Sequence, residues 1–217
     1  MTTNTELIVL HTTKFGENSI VAHTLSKEYG RRSFLIRGAG RKATMTLLLP
    51  LNILEAEITE TTKSTLYTAR NLSSRHSLMG IRNNICKNTM TLFMSEVLYR
   101  TLKDGANEPG LFEWCERSIL LLDAMETDFS NFHLRFLLEF AVALGFSPEA
   151  RDLQPFAGDH YHLVERLMKE DFADVMLIPM TGALRNEIAE EIIRYIEFHS
   201  ESSINIASLK VLRELFA

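Results

Sequence analysis

The chain has 217 residues, 46% of them hydrophobic and 24% charged, an ordinary globular composition that excludes disordered, collagen-like and disulfide-scaffold proteins. No window approaches the roughly 18 uninterrupted apolar residues of a membrane span. Asn4 and Glu6 stand where the apolar stretch of a secretory signal would begin, so a soluble, cytoplasmic protein is expected. The formal charge of -5 hides a division: residues 1–82 hold 11 Lys/Arg and 6 Asp/Glu, a surplus of +5, and residues 83–217 hold 12 and 22, a balance of -10.

Residues 7–12, 19–25 and 32–37 are short runs rich in Ile, Val, Leu, Thr and Phe, separated by turn residues at 14–18 and at Tyr29-Gly30, and they read as three strands. Residues 53–59 alternate Leu54, Ala56 and Ile58 with Glu55, Glu57 and Thr59, and 65–71 resume extended character after the polar link 61–64, giving a hairpin. Five strands in about 70 residues leave no room for helical crossovers and predict a small antiparallel barrel, the five-stranded OB-fold being the expected form.

From about Ser77 the apolar period lengthens to about 3.6, with Met90, Phe93, Met94, Val97, Leu98 and Leu102 on one helical face. Gly105 is the expected end of that helix, and Pro109 precedes another through Phe112, Cys115, Ile119 and Leu122. Asp128 or Ser130 is the expected cap of a central helix carrying Phe132, Phe136, Leu137, Phe140, Ala141 and Leu144, with Gly145 as its stop. A short helix at 161–169, a long one through Leu184, Ile188, Ile192 and Ile196, and a last one at 206–216 complete a bundle of about six. The fold class is therefore α+β in two domains: a basic barrel over 1–76 and an acidic all-α domain over 77–217.

The most suggestive segment sets Lys27, Arg31, Arg32, Arg37, Arg41 and Lys42 against a single acid, Glu28, with Tyr29 and Phe34 interleaved. Cations that neutralise phosphates beside rings that stack on bases are what single-strand binding requires. A solvated basic edge strand gives the same pattern, and the local sequence leaves both readings open. Gly38-Ala39-Gly40-Arg41-Lys42-Ala43 matches the glycine pattern of dinucleotide sites, but residues 44–49 before Pro50 are too few for the helix of a Rossmann unit.

Asp159, His160 and His162 form the densest group of metal-ligating types. Histidines two apart point to different faces of a helix and no cysteine lies nearby, so Asp159 reads as a helix cap. Cys86 and Cys115 read as small buried hydrophobes, and His133 with Arg135 as a polar pair on the central helix. Neither a nucleophile elbow nor an activated thiol is apparent, so no enzyme, metal or cofactor is expected.

Several ordered landmarks resemble one known family. They are Val9-Leu10-His11, Lys14-Phe15-Gly16-Glu17, Leu25 with Tyr29-Gly30-Arg31, Phe34-Leu35-Ile36-Arg37-Gly38-Ala39 with Arg41-Lys42, Leu144-Gly145-Phe146-Ser147-Pro148, and the ending Ser208-Leu209-Lys210-Val211-Leu212-Arg213-Glu214-Leu215. Together they are similar to the RecO family of bacterial recombination mediators. The resemblance implies an N-terminal OB-fold, an all-helical remainder, and binding of single- and double-stranded DNA with annealing of complementary strands. It implies partnership with RecR, contact with the acidic C-terminal tail of single-stranded-DNA-binding protein, and indirect help to RecA. Family members often carry two cysteine pairs forming a zinc site, whereas 151–158 contains no cysteine, so no zinc is expected.

On this reading Lys27, Arg31, Arg32, Phe34, Arg37, Arg41 and Lys42 are the candidate DNA-binding residues. Arg117 and Arg135 are the candidates for gripping an acidic tail, against local pairing with Glu113, Glu116 or Glu139. The rival reading is an OB-fold adaptor that binds another protein or an oligosaccharide, with weak or no direct contact to DNA.

Overall fold

The computed structural model describes residues 2–39, 42–60, 66–146 and 149–215. Met1, Gly40, Arg41, residues 61–65, Ser147, Pro148, Phe216 and Ala217 lie outside them. The chain divides into two compact units, Met1–Met79 with Ser95–Ile119, and Gly80–Met94 with Leu120–Ala217.

The first unit is built on the five expected strands, β1 (Thr2–Phe15), β2 (Ser19–Ser26), β3 (Gly30–Arg37), β4 (Ile53–Thr59) and β5 (Tyr67–Ser74). They close into a barrel in the order β1-β2-β3-β5-β4. It is not wholly antiparallel: β3 and β5 pair parallel, Phe34 with Tyr67 and Ile36 with Ala69. Between β3 and β4 the chain makes an unforeseen helix, α1 (Lys42–Leu47), whose six residues are too few for a helical period to register. Asn52 anchors it, its Nδ2 donating to Thr46 O at 2.9 Å and Leu47 O at 3.0 Å. The interior holds Leu7, Val9, Ile20, Ala22, Phe34, Ile36, Leu54, Ala56, Ile58 and Ala69, the inward half of each alternating strand.

One irregularity in β1 decides which residues face out. Val9 pairs with Thr24 and His11 with His23, so Leu10 is an extra residue. A bulge of this kind reverses the alternation: Val9 points inward, and His11, two residues on, points outward with His23.

A one-turn helix, α2 (Met79–Arg82), follows the barrel, and the remainder of the first unit comes from parts of α3 (Ile85–Thr101) and α4 (Leu111–Ala124) and the loop joining them. Gly105 does not end α3, which stops at Thr101. With φ at +84° it turns the loop so that its N–H donates to Arg31 O at 2.7 Å while Ala106 O accepts from Arg31 N at 2.7 Å. This loop is paired to β3 like a short extra strand.

The second unit centres on α5 (Phe132–Ala143), in which Phe132, Leu134, Phe136, Leu137, Leu138, Phe140 and Ala141 are buried. Its N-cap is Asn131, not Asp128 or Ser130, and the Asn131 side chain makes no cap bond. It donates instead to Val175 O and Ile178 O, each at 2.9 Å, and accepts from Arg185 Nε at 2.8 Å. Gly145 does stop the helix: Phe146 N donates to Ala141 O and Gly145 N to Val142 O, the paired bonds of a glycine-terminated end. The helices α6 (Ala150–Ala157), α7 (Tyr161–Lys169), α8 (Phe172–Leu177), α9 (Gly182–Ser200) and α10 (Ser208–Leu215) follow. Asp159 falls within a 3₁₀ turn, and His160 occupies the N-cap of α7, so the expected cap is displaced by one residue.

His133 is buried on α5, and that burial, with the charge of Arg185, pushes its imidazole down to about 3 against a hydrogen bond to the Ser130 backbone. An unfolded histidine takes its proton near pH 6.5. Below that pH the unfolded chain therefore binds one more proton than the folded one, and stability falls by up to about 1.4 kcal/mol per pH unit until the folded group titrates. Urea midpoints measured from neutral to about pH 4 should show this slope, and His133→Leu should flatten it. An identical slope in the variant contradicts a neutral buried imidazole.

Candidate nucleic-acid interface

In a sheet, residues paired directly across strands share a face. The pairs Ser19 with Arg37, Val21 with Leu35, His23 with Ser33 and Leu25 with Arg31 therefore form the outer rows of β2 and β3, joined on β1 by Phe15, Thr13 and His11. Arg31 and Arg37 lie on this same outer row of β3, six residues and about 20 Å apart.

The two ends of the row differ. Arg31 is 4% exposed; its guanidinium lies 5.1 Å from the Tyr99 ring centroid and 3.6 Å from Asp104 Oδ1. It is spent on seating the 104–107 loop and is not available to a phosphate. Arg37 is exposed at the other end. Beside it β5 brings Arg70, and the two arginines line a groove of about 450 Å³ with Thr44 and Leu47 of α1 and with Ile36, Ala69 and Leu72. Across Ser19 from Arg37 stands Phe15, 55% exposed at the tip of β1; Lys14 precedes it and Lys42 opens α1, both exposed.

The other sequence candidates are placed elsewhere. Phe34 is 0% exposed in the middle of the barrel core, so it cannot stack on a base, and it leaves the candidate set. Arg32 is on the same inward row as Phe34 and packs 4.3 Å from the Tyr67 ring centroid. Lys27 sits in the β2–β3 turn, paired with Glu6 at 3.1 Å. The turn belongs to an acidic side of the barrel, where Glu6, Glu28, Glu55 and Glu57 line a second groove of about 490 Å³. The six cations of residues 27–42 do not converge: Arg37 is joined by Arg70 and by Phe15, Lys42 is exposed at the start of α1, and Arg41 lies outside the described residues.

Phe15 was legible in principle, since an aromatic at a strand-to-turn boundary has no interior to fill. Arg70 carried no local signal, because its nearness to Arg37 comes from the parallel β3–β5 pairing.

In the second unit Arg135 is half-buried, with Nε on Glu139 Oε1 at 2.7 Å and Nη1 on the carbonyl oxygens of Leu167 at 2.9 Å and Glu170 at 3.3 Å. It closes the C-terminal end of α7, and it also lines a small pocket of about 180 Å³ with Leu138, Val142 and Met168. Arg117, in the first unit, is exposed on α4. The described residues contain no group of three His, Cys, Asp or Glu disposed to hold a metal ion, and no helix long and apolar enough to cross a membrane.

Residues 1–78 match the family model for the Recombination protein O N terminal, and residues 82–153 that for the Recombination protein O C terminal. The chain is 29% identical over 234 residues to a DNA repair protein RecO of Phocaeicola vulgatus, covering 97% of each. It is 28% identical over 236 residues to that of Bacteroides fragilis, covering 96% of this chain and 97% of the relative. A RecO of Flavobacterium johnsoniae is 32% identical over 157 residues, 70% of this chain and 66% of the relative. A closed barrel leading into helices, matched in order and over nearly its whole length, makes this chain a member of the RecO family, with a role in DNA repair and recombination.

Proposed function

We propose that the chain binds single- and double-stranded DNA at the Arg37 end of the barrel and anneals complementary strands. On this reading it acts with RecR to help load RecA onto DNA coated by single-stranded-DNA-binding protein. The observation that carries the reading is the open groove lined by both Arg37 and Arg70, with the exposed Phe15 across Ser19 from Arg37 on the same outer face. Such a surface holds phosphates without reading sequence, and cations that screen two repelling strands favour their annealing. No covalent chemistry is required. Glu57 of β4 stands directly across from Arg70, so the acidic β4 bounds the surface on that side and directs a phosphate toward Arg37.

Three or four neutralised phosphates give a log-log salt slope of roughly -2 to -3 for single strands. Fluorescence anisotropy with a labelled oligonucleotide should return that slope. Arg37→Glu combined with Arg70→Glu should weaken binding at least about tenfold and flatten the slope by about 1 or more. Unchanged affinity in the double variant moves the DNA elsewhere, and salt-insensitive or absent binding of the wild type leaves the protein-binding adaptor.

For the acidic tail of single-stranded-DNA-binding protein, the pocket beside Arg135 supports a docking place better than Arg117. An apolar terminal residue would sit against Leu138, Val142 and Met168 while its carboxylate displaces Glu139 from the guanidinium.

A further inference from the structure

The bulge at Leu10 sets a histidine pair on the same outer face, at the end opposite Phe15. The rings of His11 and His23 stack at 5.8 Å between centroids with 22° between planes. Tyr99 lies against both, at 4.6 Å and 5.1 Å. The guanidinium of Arg31 is 5.1 Å and that of Arg100 5.8 Å from the Tyr99 centroid. His23 is held on both ring nitrogens, by Thr13 Oγ1 at 3.0 Å and Ser33 Oγ at 2.8 Å. Hydroxyls accept as well as donate, so this ring can take a proton without losing either bond. His11 is exposed.

We propose that His11 and His23, with Tyr99 and Arg100, form a proton-dependent position for a nucleic-acid phosphate, continuing the track from Phe15 and Arg37. The proposal rests on the nucleic-acid reading of this face. Three observations support it.

The first is continuity. His11 and Phe15 are four residues apart on one outer row, about 13 Å at the rise of a strand. The outer positions between and beside them are Thr13, Ser19, Val21, Ser33 and Leu35, none of which is acidic. The second is chemistry: the exposed imidazole of His11 offers a donor, and the half-exposed guanidinium of Arg100, 3.9 Å from Glu96 on the same helix, a fixed charge nearby.

The third is charge. Burial and then Arg100 hold His11 below the usual histidine range, with Arg31 acting the same way and Glu96 opposing. Burial, Arg31 and His11 hold His23 down, with Asp104 opposing. Both rings are therefore neutral in the free protein at pH 7. A phosphate placed against them offsets the repulsion from Arg31 and Arg100, so the rings gain protons as it binds. By reciprocity, lower pH then favours the phosphate.

The test is titration calorimetry of the full chain with a short oligothymidylate at about pH 6.5, in buffers of differing ionisation heat. Uptake of about half a proton is expected, with an affinity gain of roughly fivefold between about pH 7.5 and pH 6. The His11→Gln variant should lose most of that uptake. NMR of the wild-type imidazole signals needs no variant and should show both rings titrating at higher pH once the oligonucleotide is bound. Zero uptake in the wild type, or full uptake in both His11→Gln and His23→Gln, overturns the proposal. If binding stays salt-sensitive and dependent on Arg37 yet pH-flat, only this inference falls. If no salt-sensitive binding occurs at any pH, the nucleic-acid reading falls with it.

Discussion

Replacing Gly30 by alanine should destabilise the barrel unit by about 3 kcal/mol or more, seen as a lowered urea midpoint. Gly30 has φ at +61°, and a Cβ built there meets the carbonyl oxygen of Ala106 at 2.2 Å. Two penalties therefore coincide, the strain of a side chain in left-handed backbone and an overlap with main chain. The carbonyl cannot withdraw freely, since it accepts from Arg31 N while Gly105 N bonds back to Arg31 O. Moving it breaks this pairing, and with it the seat of Arg31 against Asp104 and Tyr99. A loss under about 1 kcal/mol would mean that the 104–107 loop is not fixed to β3 in solution.

The two phenylalanines of the barrel should part company when truncated. Phe34→Ala removes a fully buried ring at the centre of a core made by Leu7, Val9, Ile36, Leu54 and Ile58. It should cost about 3 to 5 kcal/mol of stability from lost transfer energy and the cavity left behind. Phe15→Ala removes a ring that is more than half in water, so its effect on stability should stay within about 0.5 kcal/mol. Base stacking on an exposed aromatic is worth about 1 to 3 kcal/mol, so Phe15→Ala should weaken oligonucleotide binding by roughly fivefold or more. Equal binding by Phe15→Ala and wild type would remove Phe15 from the interface. Urea unfolding and anisotropy on the same two variants separate a folding role from a binding one.

The strands were legible because their alternation is local: Leu54, Ala56 and Ile58 against Glu55, Glu57 and Thr59 need no partner to be read. The helices α7 and α9 were legible for the same reason, their periods lying within one stretch of chain. Residues 42–47 and 172–177, which form α1 and α8, are too short to carry a period. The caps misled because Asp128, Ser130 and Asp159 have the chemistry of a cap, while the backbone started its helices at Asn131 and His160. There, buried carbonyls elsewhere in the fold claim the Asn131 side chain.

The candidate site divides along the same line. The charge surplus of the first 82 residues, the barrel, the helical remainder and the family likeness were all available from the chain itself, because composition, period and ordered motifs are properties of neighbours in sequence. Which cations meet is a property of register. The arginines of residues 27–42 look equivalent in sequence, but strand alternation sent Arg32 inward with Phe34. A loop more than sixty residues further on covered Arg31. Parallel pairing of β3 with β5 supplied Arg70 to Arg37 from beyond the segment altogether. One extra residue at Leu10 turned His11 outward. Each of these outcomes depends on contacts between distant parts of the chain, and no local pattern encodes them.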